Sequence, residues 1–355
     1  MAPIGFTRLP RRLPRTLLEQ DRATRAEIFG ETANRLGLPE ALVEKDFWAC
    51  WMLAQIFSIE PFRGSLLFKG GTSLSKIFGV IQRFSEDIDL AVDYSMLGFT
   101  GTRDPHAPGL SRTRQGALLD EMLHACRTYI EGDFLRHLRA RCVDVLGPES
   151  TRRLIVDGQD PHIVHFFYPP SVAGQLAYIA PQVVLELGTH AEFIPRGEFT
   201  IRSFAAAEFP DLFGQADIPV TSLLAKRTFW EKATILHAEY HRPPDKTLPA
   251  RYSRHYYDVA MMAAQPVKHE AFQDLDLLAA VVKHKQTFYP SAWAQYPLAV
   301  PGTFKFAPAE ARIASLRQDY REMAVMIFGD PPTFDQIIET LVALEKELNA
   351  LERNT

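Results

Sequence analysis

The most constraining feature of this chain is the segment 66–92, in which short apolar runs flank a glycine pair and an acidic pair. The first apolar run enters Gly70-Gly71, and the second carries Asp87 and Asp89. Residues two apart on a strand point to the same face, so these two carboxylates are expected side by side. Paired carboxylates repel each other, and a hard cation such as Mg²⁺ relieves that repulsion.

The glycine pair predicts the second half of the same site. Glycine lets a phosphate approach bare backbone amides, and the N-terminus of a following helix adds a favourable dipole. Thr72 and Ser73 follow directly and offer hydroxyl groups. The segment as a whole therefore predicts a site for a nucleoside triphosphate and a metal. The alternative is a glycine turn followed by a surface strand with solvated acids.

This ordered combination resembles the nucleotidyltransferase superfamily, whose signature is a Gly-Gly or Gly-Ser pair followed by Asp-x-Asp/Glu on the next strand. It is most similar to the AbiEii/AbiGii toxin family of abortive infection and type IV toxin–antitoxin systems. FKGGTSLSK and RFSEDIDL occur in that family almost as they stand here. The resemblance is close over residues 40–92 and looser over 182–262. It implies an α+β nucleotidyltransferase fold with a mixed sheet, N-terminal helices and a C-terminal helical domain.

The length of 355 residues predicts two domains or one elaborated domain. We predict an N-terminal arm and helices that pack on the core (1–60), a nucleotidyltransferase core (61–214) and a C-terminal helical domain (215–355). The arginines and prolines near the N-terminus predict an extended basic arm, and the loop-forming residues of 94–114 predict a mobile loop. Helices are predicted at 16–36, 40–58 and 115–146 and from about 219 onward; strands are predicted around 152–157, 162–168, 182–187 and 199–204.

Composition excludes several classes of protein. The net charge of −4 gives no overall nucleic-acid footprint, so contacts with RNA would need local basic patches. The three cysteines are odd in number and lack metal spacing, which favours a reducing compartment. No apolar run is long enough to cross a membrane. We therefore expect a cytoplasmic protein.

A third carboxylate is expected, because two-metal nucleotidyl transfer needs one near the attacking hydroxyl. Glu186 is the candidate, since an acid within VVLELG would be costly to bury without a partner. An outward-facing strand residue is the open alternative, and Glu192 and Glu198 are weaker candidates.

The segment 222–237 places basic residues in an apolar helix. Lys232 matches the family's motif lysine and would act as a point charge on the triphosphate. A surface lysine paired with Glu231 is the alternative. Lys226 is a further candidate for binding the nucleotide, with a structural role as the open alternative, and the role of Arg227 is left open.

Further candidates come from two other segments. Residues 251–260 resemble the family's Arg-Asp-aromatic-aromatic-Asp motif, with His255 in place of the first Asp. Arg254 and Asp258 lie four apart, on one helix face, so Asp258 either orients a cation toward the nucleotide or forms an ordinary ion pair. Arg83 and Ser85 could help to place phosphate or Asp87.

Other polar residues are interpreted as structural. Glu44, Lys45 and Asp46 are similar to a family pattern, and we interpret them as the polar edge of a packed helix. His165, His237 and His255 are interpreted as packing or surface residues, because no pair of histidines has metal spacing.

The resemblance implies a bacterial toxin, neutralised by a cognate antitoxin protein, that transfers NMP from an NTP to an acceptor hydroxyl, with tRNA the favoured RNA acceptor. In this interpretation Mg²⁺ or Mn²⁺ is held by Asp87, Asp89 and Glu186. Phosphates are bound by residues 70–73 with help from Lys232. The alternatives are a non-catalytic nucleotide-binding sensor or scaffold on the same fold, and a small-molecule, antibiotic-type nucleotidyltransferase.

Overall fold

A mixed sheet organises the computed structural model, which describes residues 16–85, 87–172, 180–214 and 216–351. Within these ranges the sheet has seven strands in the order β3-β4-β5-β2-β1-β7-β6. The strands are β1 (Leu66–Lys69), β2 (Asp87–Val92), β3 (Leu154–Val156), β4 (Ile163–Phe167), β5 (Gln182–Gly188), β6 (Arg196–Ile201) and β7 (Ile218–Leu223).

The centre of the sheet combines parallel and antiparallel pairing. Strand β1 runs antiparallel to β2 and parallel to β7, and β2 runs parallel to β5. The outer pairs β3–β4, β4–β5 and β6–β7 are antiparallel. This arrangement confirms the predicted α+β class with a mixed sheet.

The first group of helices comprises α1 (Thr16–Glu19), α2 (Arg22–Leu36), α3 (Glu40–Ser58), α4 (Gly70–Lys76), α5 (Arg112–Tyr129), α6 (Leu135–Leu146) and α7 (Phe204–Glu208). In this group, all but α4 contribute buried residues to the core on one face of the sheet. A π-helical turn at Ile130–Phe134 joins α5 to α6. Helix α3 is buried along nearly its whole length, and Trp48 stacks on Tyr168 with ring centroids 5.5 Å apart.

Side chains that alternate in direction along β2 and β5 give the sheet one apolar face, which packs in the core with α3, and one polar face. In β2, Ile88 and Leu90 are buried in the core, whereas Asp87 and Asp89 are partly accessible. In β5, Leu185 and Leu187 are buried and the residue between them faces outward. Because side chains alternate between faces, the polar residues of both strands share the face away from α3.

The second group of helices forms its own core. It comprises α8 (Ala225–Tyr240), α9 (Ser253–Ala263), α10 (Pro266–Phe272), α11 (Leu275–Phe288), α12 (Ile313–Met323) and α13 (Phe334–Ala350). Leu74 of α4 and Val80 and Ile81 after it are buried in this second core. The glycine-pair segment therefore contacts both halves of the chain.

Two expectations for the regular structure need correction. Helix was expected from about residue 219, but residues 219–223 lie in β7, which pairs with β1 in the sheet. The strand expected at 199–204 lies at Arg196–Ile201. The division at 215 stays a prediction, and β7 belongs to the central sheet although it follows that position. The predicted basic arm lies outside the described residues.

The charges of α3 are buried instead of lying at a polar edge. Glu44, Lys45 and Asp46 are 2%, 3% and 2% exposed. Glu44 accepts hydrogen bonds from the backbone N–H groups of Ser171 and Val172, and Asp46 pairs with Lys76. Satisfied partners make such burial tolerable, so these acids tie α3 to loops around it.

Segment 94–114 lacks strands, as expected, but part of it is packed. Phe99 is 1% exposed and lies in a small cluster with Leu118 and Phe288.

No helix in the described ranges is long and apolar enough to cross a membrane.

Candidate active site

Strand register aligns three charged side chains across the centre of the sheet. Asp89 of β2 lies opposite Lys69 of β1 on one side and opposite Glu186 of β5 on the other. Directly opposed residues on neighbouring strands project from the same face. The lysine and both carboxylates therefore stand in one row, with Asp87 two residues away on the same face.

The carboxylates are close enough to influence one another's proton affinity. Glu186 remains accessible, but the surrounding protein removes part of its hydration. This desolvation and the negative charges of Asp89 and Asp87 raise the pKa of Glu186 to about 7. The three acids thus share one electrostatic environment. Their carboxylate oxygens are the kind of ligand that a hard divalent cation prefers.

Lys69, the lysine in this row, was not identified as a site residue from the sequence. Burial alone would lower the pKa of Lys69, but the charges of Asp89, Glu231 and Glu186 outweigh that effect and raise the pKa above its ordinary value. Lys69 is therefore held as a cation among the acids. Its position directly before the glycine pair was the available signal, but a lysine at a strand end is too common to identify a site.

Gly70 and Gly71 leave room for neighbouring polar side chains of the site. Gly70 has φ +77°, and a Cβ there would collide with the carboxylate of Asp89. A Cβ at Gly71 would lie 2.6 Å from a terminal nitrogen of Arg83 and 3.1 Å from Oγ of Ser85. Glycine is required at position 70 by its backbone conformation and by this close approach.

The two hydroxyls after the glycine pair form internal hydrogen bonds. Thr72 Oγ1 donates to the backbone oxygen of Asp87 at 2.6 Å, which joins α4 to the start of β2. Ser73 is fully buried, and its Oγ donates to the backbone oxygen of Gly70 at 2.9 Å. Both hydroxyls therefore shape the turn that positions the acids.

Asp258 joins two cations behind the site. Its carboxylate accepts from Nε and a terminal nitrogen of Arg83 at 2.7 and 2.8 Å, and lies 2.8 Å from Nζ of Lys232. Burial would raise the pKa of Asp258, but the charges of Arg83 and Lys232 hold it well below the usual range. Asp258 is 0% exposed, so it positions both cations instead of contacting a ligand. Arg254 is not among these close partners.

A cleft of about 570 Å³ brings most of the predicted residues together. It lies between the polar face of the sheet and helices α8, α9 and α11. The predicted residues that line it are Gly70, Gly71, Arg83, Ser85, Asp87, Asp89, Glu186, Lys232 and Arg254. Thr72, Ser73, Asp258 and Lys226 do not line it. Lys226 instead pairs with Asp274 at 2.6 Å, next to the start of α11, so its proposed nucleotide contact is not supported by its position.

The amino-acid sequence matches a known protein family. The sequence model described as "Nucleotidyl transferase AbiEii toxin, Type IV TA system" matches residues 51–340. The chain belongs to the AbiEii family of nucleotidyltransferase toxins. Membership implies an NTP substrate and an antitoxin partner.

One solved structure similar to this AbiEii-family chain is MenT4, a nucleotidyltransferase toxin from Mycobacterium tuberculosis H37Rv. The two chains are 15% identical with a TM-score of 0.40, and the alignment covers 96% of this chain and 90% of MenT4. A search of curated proteins gave no match.

Helices α8 and α11 contribute further charges to the cleft of this AbiEii-family toxin. Glu231 and Lys285 line the cleft beside Lys69. Burial lowers the pKa of Lys285 to about 8, with Glu231 opposing that effect. Only the packing of α11 against α8 brings Lys285 there, so sequence patterns gave no signal for it.

The alternative third carboxylates lie elsewhere. Glu192 pairs with Arg227 at 2.9 Å, and Glu198 accepts from Thr221 Oγ1 at 2.8 Å. Neither residue lines the cleft, whereas Glu186 stands directly opposite Asp89. Arg227, whose role was left open, is fully buried between Glu192 and Glu231.

Replacing Gly70 with Ala tests the close approach to Asp89. Gly79 is a matched control, because it also has positive φ (+61°) but nothing lies within 4 Å of an added Cβ. Both substitutions should cost about 1–2 kcal/mol of stability from left-handed strain. Only Gly70→Ala should also reduce nucleotide turnover, by about 100-fold, because it displaces a carboxylate. Thermal melting and turnover assays measure both effects; equal activity in the two variants would contradict this geometry.

Replacing Asp258 with Asn tests the buried ion network. The change leaves Arg83 and Lys232 without their anion, so unfolding free energy at pH 7 should fall by about 3–5 kcal/mol. Because the folded-state pKa of Asp258 is lowered, its stabilisation is present above the unfolded pKa of about 3.9 and is lost as pH falls below it. Urea unfolding of wild type and variant should therefore converge in acid.

Asp335→Asn is the control for this measurement. Asp335 pairs with Arg317 on the surface, where its side chain is 67% exposed. Solvent screens such pairs, so the control should lose far less stability. A loss at Asp258 no greater than the loss at Asp335 would exclude a stabilising network.

Proposed function

We propose that this toxin transfers a nucleoside monophosphate from an NTP to a hydroxyl group of RNA, with tRNA the favoured acceptor, and that the reaction depends on Mg²⁺ or Mn²⁺. The row formed by Lys69, Asp89 and Glu186 beside the glycine pair is the observation that carries this proposal. Because NTPs and tRNA are found in the cytoplasm, the proposal includes a cytoplasmic location.

The donor set fits the divalent metal that such a reaction needs. Asp87, Asp89 and Glu186 would hold it, because partial burial and their mutual repulsion raise the pKa of Glu186, and a hard cation relieves that repulsion. When bound, the metal supplies charge stabilisation for the transferring phosphoryl group. Glu186 would also help to activate the acceptor hydroxyl.

Cations on the helical side of the cleft would bind the triphosphate. Lys232 and Arg254 line the wall opposite the acids, and Lys285 adds a third positive group from α11. Asp258 holds Lys232 in place, which reduces the ordering needed when nucleotide binds. In the reaction the acceptor oxygen forms a bond to the α-phosphorus of the NTP. The bond between that phosphorus and the oxygen that bridges to the β-phosphorus breaks, and pyrophosphate leaves with the negative charge on that oxygen. Fixed cations at that end stabilise the charge as it moves.

Aromatic side chains at the far end of the cleft would accommodate the nucleobase. Tyr252, Trp293 and Tyr296 line this part of the cleft. Stacking on such rings is favourable for every base, so this surface gives affinity with little base selectivity.

A smaller adjoining cleft would admit the acceptor. Its volume is about 290 Å³, and it shares Lys69, Asp89 and Glu186 with the larger cleft. Asp160 and His162 also line it. Two openings that meet at the same carboxylates allow nucleotide and acceptor to approach from different directions, as an in-line displacement requires.

Neutralising either strand aspartate should abolish transfer. Asp87→Asn and Asp89→Asn should each reduce turnover by at least about 1000-fold, because several kcal/mol of transition-state stabilisation is lost. Growth inhibition on expression should disappear with it. Asp93→Asn is the control: it changes the acid that follows β2, which accepts from the backbone N–H of Ser95 and does not line the cleft. Toxicity in either active-site variant would contradict the proposal.

Labelled substrates distinguish the proposed reaction from its alternatives. Incubation with each α-labelled NTP, Mg²⁺ and total RNA should place label in RNA, predominantly in the tRNA fraction. Nucleotide binding without transfer would indicate the sensor or scaffold. Label found only on an added aminoglycoside would indicate an antibiotic-type enzyme.

A further inference from the structure

Three side chains that the proposed reaction does not use converge beside the cleft. His106 comes from the loop between β2 and α5, Glu192 from the loop after β5, and His284 from α11. One potential ligand atom from each lies within 4.8 Å of the other two. These segments are distant in sequence, so only the fold brings them together.

Both imidazoles face the same carboxylate oxygen. Nε2 of His106 lies 3.5 Å and Nδ1 of His284 lies 3.6 Å from Oε1 of Glu192. These separations exceed a normal hydrogen bond. Neither nitrogen has a hydrogen-bond partner among the described residues, although both are buried.

The opposite nitrogen of each ring indicates which tautomer is present. Nε2 of His284 lies 3.2 Å from the backbone oxygen of His190, which can only accept, so this nitrogen carries a proton. The hydroxyl of Thr287 donates to the backbone oxygen of Lys283 and lies 3.4 Å from Nδ1 of His106. Nδ1 of His106 is therefore a donor as well. In the neutral rings, Nε2 of His106 and Nδ1 of His284 are then the unprotonated nitrogens, and these are the two atoms that lie near Oε1 of Glu192.

Three electron-rich atoms gathered this closely repel one another, and a cation between them would relieve that repulsion. Zinc bonds of about 2.0–2.2 Å in tetrahedral geometry give a ligand-to-ligand distance of about 3.4 Å, which is close to the two separations from Oε1 of Glu192. The second nitrogen of each ligating histidine commonly donates to an oxygen, as both do here. Arg227 occupies the other carboxylate oxygen at 2.9 Å and leaves Oε1 to face the imidazoles.

We propose that His106, Glu192 and His284 bind a divalent transition-metal ion of the zinc class, separate from the catalytic metal. The ion clamps α11 and the loop after β2 onto the loop after β5. Lys285 and Tyr289 of the same helix region line the cleft, and Arg227 connects Glu192 to Glu231 of the cleft wall. The clamp therefore fixes the wall that faces the catalytic carboxylates.

Zinc titration of the full-length chain after chelator treatment and dialysis tests this site. Wild type should bind one zinc ion per chain and melt at a higher temperature with zinc present. His106→Asn should weaken zinc binding by at least about 100-fold. His269→Asn, which changes an exposed histidine of α10, should bind as wild type does. Bound Co²⁺ should give the strong visible absorption of a four-coordinate site in wild type and the control only.

Two further variants keep the result decisive. Glu192→Gln should lose zinc like His106→Asn, which covers the case in which one substitution fails to fold. Asp89→Asn should retain zinc, which separates this site from the catalytic carboxylates. Equal zinc affinity in wild type and both ligand variants, or no stoichiometric binding to wild type, would overturn the proposal and leave a proton as the bridging cation.

Discussion

The register between β1, β2 and β5 is the constraint on which the site depends. It places Lys69, Asp89 and Glu186 in one row on the sheet face opposite α3. A shift of one residue would turn these side chains into the apolar core and bring Ile88 and Leu90 out. Burial of those apolar residues therefore also fixes the position of the charged ones. The hydrophobic core and the candidate active site are two faces of the same strand pairing.

Both walls of the cleft carry charged groups. The sheet contributes three acids and Lys69, and the helical half contributes Lys232, Arg254 and Lys285 together with the acid Glu231. Asp258 holds Lys232 and Arg83 from behind, so part of this positive wall is ordered in the absence of ligand. Preorganised charge of this kind lowers the reorganisation needed during phosphoryl transfer. The proposed histidine–glutamate clamp would order the neighbouring part of the wall in the same way.

Local patterns predicted much of the architecture, because they report local physics. Helix α3 was expected at 40–58 and lies at Glu40–Ser58, since its apolar residues recur at helical spacing over several turns. Strand β7 was missed because a short apolar run directly before a helix has no periodicity of its own. The buried acids Glu44 and Asp46 were misplaced for a different reason. Their partners lie in a distant loop and at the ends of α4 and α7, so nothing in α3 indicated that their charges would be satisfied.

The sequence by itself determined the local chemistry: a glycine pair followed by two hydroxyl residues, two aspartates on one strand face, and membership of the AbiEii family. These features depend on near neighbours and on the two-residue period of a strand. Only the tertiary structure decided which distant residues join them. Lys69 meets Glu186 through β2, Lys285 arrives on α11, and Lys226 is drawn away to Asp274. Such contacts are set by strand register and helix packing between remote segments, and no local pattern encodes that information.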